Sequence, residues 1–304
     1  MTQAHDSARL AGLGTEAVRP DLSDLDERST ADLVRLAIDE HHAVDAALEQ
    51  AAPALEAAVD AVSARMRRGG RLVYLGAGTP GRLAALDAAE CPPTYGTDPD
   101  LVVAVVAGGA VGVARSTEHS EDEGDAAVAA LEELAITDAD SVVGVTASGR
   151  TPYVVEGLRA AGAAGALTVS IANNEGAESS SVADIAIETP TGPELVAGST
   201  RLKAGTAQKI VLNALSTLVM VRLGKTFGNL MVDVVPGNEK LRDRGRRIVE
   251  AATGATAEAS SAALEAADGS VKVAVVMLLA GVPAADAVRR LADGRSVREA
   301  LAVP

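Results

Sequence analysis

The chain has 304 residues, with 27 Lys and Arg against 42 Asp and Glu, a formal net charge of −15 and one cysteine, Cys91. That acidity excludes nucleic acid or an anionic membrane as the natural partner, since their phosphates would be repelled. A single cysteine excludes an internal disulfide or a thiolate metal cluster. Aromatics make up 1% (Tyr74, Tyr95, Tyr153 and Phe227, no Trp), too few for the base-stacking platforms of single-strand binders. Residues 1–50 contain no apolar leader, and no uncharged apolar run reaches about 18 residues. The expectation is a soluble cytoplasmic protein, long enough to bury one large core or two smaller ones.

In chain order, residues 1–20 read as a mobile arm that orders on contact. Ser29-Thr30 followed by Asp32 is a helix start, with a hydroxyl cap and an early acid. Apolar residues then recur at helical spacing to Arg68, with Pro53 expected to separate two helices. From Leu72 the pattern alternates. Five short, β-branched apolar runs (72–75, 101–107, 142–147, 167–172 and 183–188) are separated by helical segments or turn signals. Unbroken apolar strands between helices predict an α/β fold, a doubly wound parallel sheet covered on both faces. The stretch 201–223 is long and mostly apolar but interrupted by Lys203, Gln208, Lys209 and Asn213, which predicts a core or interface helix. Beyond Gly228 four or five short helices predict a small C-terminal bundle. The expected division is an arm and helical segment over 1–53, a ligand-binding α/β domain over 54–225, and a helical domain over 226–304.

Three loops have the chemistry of anion sites. Gly76-Ala77-Gly78-Thr79-Pro80-Gly81 follows a strand and opens a helix, so it satisfies G-x-G-x-x-G. The ribose-binding acid of that fingerprint is missing, because the second strand ends in Ala107-Gly108-Gly109. The loop still suits a phosphate or carboxylate at a helix N-terminus, with Thr79 adding a hydroxyl and Arg82 a charge. Ser148-Gly149-Arg150-Thr151-Pro152 repeats the arrangement, with proline where a first helical turn tolerates it. Ser199, Thr200 and Lys203 open the long helix with hydroxyls and a cation. The bland alternative for each is an ordinary turn or cap. Glu90, followed by Cys91-Pro92-Pro93, reads either as a rigidly placed acid or as a solvated helix end. The run Glu118 to Glu123 reads either as acids raising one another's pKa, as general acid–base work requires, or as a solvated helix start. The four histidines show no metal-ligand spacing in the strand-helix region, and no G-x-S-x-G elbow exists.

Five stretches then carry a resemblance: GAGTPGRLAALDAAECPPTYG (76–96), TASGRTPYV (146–154), GPELVAGSTRLKAGTAQK (192–209), GKTFGNLMVDV (224–234) and NEKL (238–241). Together they resemble the N-acetylmuramic acid 6-phosphate etherase family, over roughly residue 15 to the C-terminus. The opening TEAVRPDLSDLDERST (15–30) is similar to a looser version of the family's start. The resemblance implies the sugar isomerase (SIS) fold, a homodimer, no cofactor and no metal. It implies a phosphorylated amino sugar as substrate and cleavage of its lactyl ether. On this resemblance Glu90 is the proton donor and Glu118 the second catalytic glutamate. Thr79, Ser148 and Thr151 would hold phosphate, with Arg82 and Arg150 as local cations. Asn173, Ser199, Thr200 and Lys203 would reach the sugar. Pro80 stands where the family usually has Ser, and His119 where it usually has Gly. Two other readings use the same loops: a non-catalytic phosphosugar sensor that regulates a partner, and an aldose–ketose isomerase.

Overall fold

A computed structural model describes residues 13–115, 119–234 and 239–303. The chain divides into two compact units, one within Met1–Ala88 and Asp100–Leu215, the other within Ala89–Pro99 and Ser216–Pro304.

The first unit is built on five strands: β1 (Leu72–Gly76), β2 (Val102–Val106), β3 (Ser141–Thr146), β4 (Leu167–Ala172) and β5 (Ile185–Glu188). They lie in the order β2-β1-β3-β4-β5, and all pairs are parallel. The helices around them are α1 (Thr30–Asp39), α2 (His42–Met66), α3 (Gly78–Tyr95, which passes into the second unit at Ala89), α4 (Gly109–Ala114), α5 (Gly124–Glu133), α6 (Pro152–Ala163), α7 (Glu178–Ser181) and α8 (Lys203–Arg222, which passes into the second unit at Ser216). Side chains alternate across the sheet. Val73, Leu75 and Val142 join Ala127 and Leu131 of α5 and Tyr153 and Leu158 of α6 in one buried cluster. Tyr74, between them, turns to the opposite face, where its hydroxyl donates to Asp87 of α3 at 2.8 Å and Asn213 of α8 donates to the same carboxylate at 2.6 Å. The expected parallel sheet is therefore present, and its order reverses at β1. A doubly wound sheet opens a crevice at such a reversal, outside the carboxyl ends of the adjoining strands.

The opposite end of the sheet is closed by one ion pair. Asp140 is 3% exposed and accepts hydrogen bonds from the Arg71 backbone N–H, the Arg71 guanidinium and the Thr137 N–H, each 2.9–3.0 Å. Burial works against its charge, but these bonds outweigh it and hold its pKa at about 2, below the ordinary 3.8. A carboxyl depressed on folding stabilises the native state above the unfolded pKa. That contribution fades as the pH falls from about 4 to 2. After allowance for solvent screening it is on the order of 1–2 kcal/mol. Urea unfolding should therefore show the parent chain losing more stability between pH 6 and 3 than Asp140→Asn does. Equal losses would mean that the pair contributes nothing.

Three sequence expectations are corrected. Pro53 does not end a helix, since α2 runs through it. Proline already has a helical φ, and what it removes is the bond to the Glu49 carbonyl. Pro53 and Glu49 are both exposed, so water can replace that bond, while Ala47, Ala51, Ala58, Val59 and Val62 stay buried along the helix. Likewise α3 continues through Pro92 and Pro93 to Tyr95, where the Gly96 N–H closes on the Pro92 carbonyl. The arm is docked from residue 13 onward: Leu13, Thr15 and Leu22 are buried, and residues 1–12 lie outside the described residues. The α8 helix is long and apolar enough to cross a bilayer by composition alone. Val211, Leu212, Leu215, Val219 and Met220 are nevertheless fully buried, as in a core helix.

The second unit contains a hairpin, β6 (Thr226–Phe227) and β7 (Leu230–Met231), that turns at Gly228 with φ +60°. Five helices follow: α9 (Glu239–Thr253), α10 (Ala257–Ala266), α11 (Val271–Ala280), α12 (Ala284–Arg290) and α13 (Val297–Leu301). Their core is aliphatic, centred on Val249, Val271, Val275, Val276 and Val297. Thr256, Ser270 and Ser296 cap three of these helices, Ser296 in a capping box with Glu299. On α9, Arg246 pairs with Asp243 and Glu250, and Arg247 with Asp243, which makes this a solvated, charge-paired face.

Candidate active site

After β1 the chain turns at Gly78, φ +58°, straight into α3. The helix begins against the strand end: a Cβ on Gly81 would lie 2.7 Å from the Gly76 carbonyl oxygen. Close helix–strand packing thus accounts for the glycine spacing without a dinucleotide. After β3 the second loop is pinned by its own polar groups. The Thr146 and Thr151 hydroxyls share a hydrogen bond at 2.8 Å, and the Gly149 N–H donates to the Thr146 hydroxyl at 3.2 Å. The Arg150 N–H donates to the Ser148 hydroxyl at 3.2 Å, and the Ser179 N–H to the Gly149 carbonyl at 2.8 Å.

Both loops line one cavity of about 510 Å³. Thr79 and Pro80 come from the first, and Ser148, Arg150, Thr151 and Pro152 from the second. Glu16, Glu121, Asp122 and Thr200 complete the wall. The site lies at the sheet reversal between β1 and β3. Hydroxyls, a guanidinium and two helix N-termini converge there, a setting that stabilises a phosphate. The acids in the same wall suit sugar hydroxyls and proton transfer. Although Glu121 is solvent-accessible, desolvation by surrounding protein, followed by the nearby charge of Asp122, raises its carboxyl above the usual range. A carboxyl raised in this way is a better proton carrier near neutrality.

The other expected site residues lie elsewhere. The Arg82 Nε donates to the Gly112 and Val113 carbonyls, closing the C-terminal turn of α4. Asn173 is 1% exposed and spends its amide within the fold. It donates to Thr189 and to the Ala204 carbonyl, and accepts from Gln208 at 2.8 Å. The Lys203 ammonium donates to the Pro193 carbonyl at 2.7 Å and pairs with Glu40 at 2.6 Å. Ser199 sits in the turn before α8, outside the cavity wall. The α8 N-terminus, expected as a third anion site, is taken by the chain itself. Glu194, 1% exposed, accepts from the Lys203 N–H at 3.0 Å and the Ala204 N–H at 2.9 Å. That carboxylate also explains how a lysine sits at a helix start, where it otherwise opposes the dipole. Glu90 is exposed on α3, eleven residues after Thr79, and is not part of the cavity wall. Glu118 lies outside the described residues.

Sequence reasoning assigned no role to Glu16, Asn174 or Glu194. The Asn174 amide donates to the Thr15 hydroxyl and the Ala147 carbonyl, both at 3.0 Å, joining the N-terminal segment to the second loop. Glu16 and Glu194 carried a signal, their places in the family-like stretches 15–30 and 192–209; Asn174 carried none. Among the described residues no group of three or more His, Cys, Asp or Glu is placed to hold a metal ion.

A parallel sheet with two such loops at its reversal is a doubly wound ligand-binding fold, and the family matches make it an SIS domain. The SIS domain family matches residues 122–218, and the glucokinase regulatory protein N-terminal SIS domain family matches residues 54–162. Over almost its full length the chain is 53% identical to the N-acetylmuramic acid 6-phosphate etherase of Streptomyces coelicolor, covering 97% of this chain and 95% of that protein. It is also 53% identical to the etherase of Rubrobacter xylanophilus, covering 96% and 97%. A phosphoheptose isomerase structure from Francisella tularensis aligns at 15% identity and TM-score 0.49, covering 63% of this chain and 98% of that one. The chain belongs to the N-acetylmuramic acid 6-phosphate etherase family.

Proposed function

We propose that this chain is a lyase that converts N-acetylmuramic acid 6-phosphate into N-acetylglucosamine 6-phosphate and D-lactate. The observation that carries the reading is that a hydroxyl-rich double loop and the carboxylates of Glu16, Glu121 and Asp122 line one and the same cavity. End-to-end similarity to proteins named for this activity supports it.

The substrate's phosphate sits against Thr79, Ser148, Arg150 and Thr151 and the two helix N-termini. An ether carbon is a poor electrophile, so direct displacement is slow. With the sugar ring open, the aldehyde at carbon 1 acidifies the proton on carbon 2. A carboxylate base takes that proton, and the electron pair of the broken C–H bond forms the carbon 2–carbon 3 double bond. The carbon 3–oxygen bond breaks toward lactate, whose oxygen receives a proton from a carboxylic acid. Water then adds back, hydroxyl to carbon 3 and proton to carbon 2, giving the amino-sugar product. Glu90 and Glu118 are the acid–base pair of this proposal, and Glu121 is the cavity carboxyl nearest to Glu118 in sequence.

In this reading the chain works in the cytoplasm as a homodimer, and Glu90, which is not part of its own chain's cavity wall, serves the phosphate loops of the other copy. The test is incubation of the purified protein with N-acetylmuramic acid 6-phosphate. D-Lactate and N-acetylglucosamine 6-phosphate should appear in equal amounts. Binding of the sugar phosphate without lactate release would make the chain a sensor instead.

A further inference from the structure

We propose that Glu16 is a substrate-contacting residue of this cavity, accepting a hydrogen bond from a neutral donor of the amino sugar, a hydroxyl or the acetamido N–H. This rests on the phosphosugar reading above and assigns to the N-terminal segment a part in recognition.

The segment is shaped to deliver one side chain. Residues Gly14–Glu16 form a single tight turn, closed by the Glu16 N–H on the Leu13 carbonyl at 3.1 Å. Thr15 is fully buried and Glu16 exposed, so the turn points Thr15 into the protein and Glu16 into the cavity. Two anchors hold it. On one side Thr15 and Asn174 bond reciprocally, with the Thr15 N–H donating at 3.4 Å and the Thr15 hydroxyl accepting at 3.0 Å. On the other, Arg19 pairs with Glu40, which pairs in turn with the buried Lys203 ammonium. Burial disfavours charge on Glu40, but its hydrogen bonds to Lys203 and Arg19 win, and its pKa lies below the ordinary value. Lys203 also holds the Pro193 carbonyl, and its N–H is held by Glu194, so the network reaches the loop that carries Thr200. A Cβ on Gly198 of that loop would lie 3.1 Å from the Glu16 carboxylate. Lys203 is thus a positioning residue, and the same network fixes two walls of one cavity.

Electrostatics decide what Glu16 can touch. The substrate class has two anionic ends, the phosphate and the lactyl carboxylate, and a carboxylate repels both. The rest of the sugar offers hydroxyls and the acetamido N–H, which are donors, and a carboxylate is an acceptor with two oxygens.

The test separates recognition from folding. N-Acetylglucosamine 6-phosphate and inorganic phosphate are titrated by calorimetry into the parent chain, Glu16→Ala and Glu16→Gln, with lactate release measured in parallel. Glu16→Ala should weaken the sugar phosphate about tenfold or more while leaving inorganic phosphate unchanged or tighter. Glu16→Gln, which keeps one acceptor oxygen, should fall between. In the lactate assay the loss should appear in KM more than in kcat. Equal weakening of both ligands would show a merely structural role, and no weakening of either would remove Glu16 from the site, so each result overturns the proposal. A parent chain that binds the sugar phosphate without releasing lactate would sink the lyase reading alone.

Discussion

Glu90→Gln should lower lactate release by about a hundredfold or more, the usual contribution of a positioned acid or base, while N-acetylglucosamine 6-phosphate still binds. Its geometry makes a sharper prediction. Eleven residues of α3 separate Glu90 from Thr79, and at 1.5 Å per residue that is about 16 Å along one helix. A sugar held by its phosphate at the start of α3 does not span that distance. In the proposed reading Glu90 instead serves the cavity of a second copy. Mixed dimers of Glu90→Gln chains with Thr151→Val chains should regain activity, because one of the two sites then combines an intact loop with an intact Glu90. Activity no higher than that of either variant alone would place Glu90 outside the partner's site.

The second large effect is on the cradle itself. Gly149 has φ +77°, and a Cβ there would sit 2.3 Å from the Ala177 Cβ. Gly149→Val meets both penalties, a left-handed backbone that a branched residue resists and an overlap with packed structure. The expected cost is about 2–4 kcal/mol. Because the loop carries Ser148, Arg150 and Thr151, phosphate binding should be lost as well. Gly176→Ala is the matched control. It has φ +60° but nothing within 4 Å of the added carbon, so it should cost only about 1 kcal/mol. Thermal unfolding and phosphate titration of the two variants check this, and equal costs would mean that the Ala177 contact does not matter.

Much of the fold was legible because the strands are unbroken β-branched runs and their loops carry glycine, hydroxyl and proline at strand-to-helix junctions. Those local signals place Thr79, Ser148, Arg150 and Thr151 on one cavity wall. Long-range pairing was not legible. Lys203 looked like a ligand cation because it opposes the helix dipole, but the opposition is cancelled by Glu194, nine residues earlier, and by Glu40, the C-cap of α1 far upstream. Asn173 looked available, yet its bonding capacity is spent on Thr189, Ala204 and Gln208. Pro53 and Pro92 looked like helix ends, since local preference cannot register whether the lost bond faces water. The N-terminal segment looked mobile because its order depends on Asn174, more than 150 residues away.

The most direct test of the central claim is the fate of the ether oxygen. Turnover of N-acetylmuramic acid 6-phosphate should be run in water enriched in heavy oxygen, with both products weighed by mass spectrometry. Elimination followed by water addition predicts unlabelled D-lactate and one heavy oxygen on carbon 3 of N-acetylglucosamine 6-phosphate, beyond any exchange at the carbon 1 aldehyde. Heavy oxygen in the lactate, or no lactate at all, would contradict it.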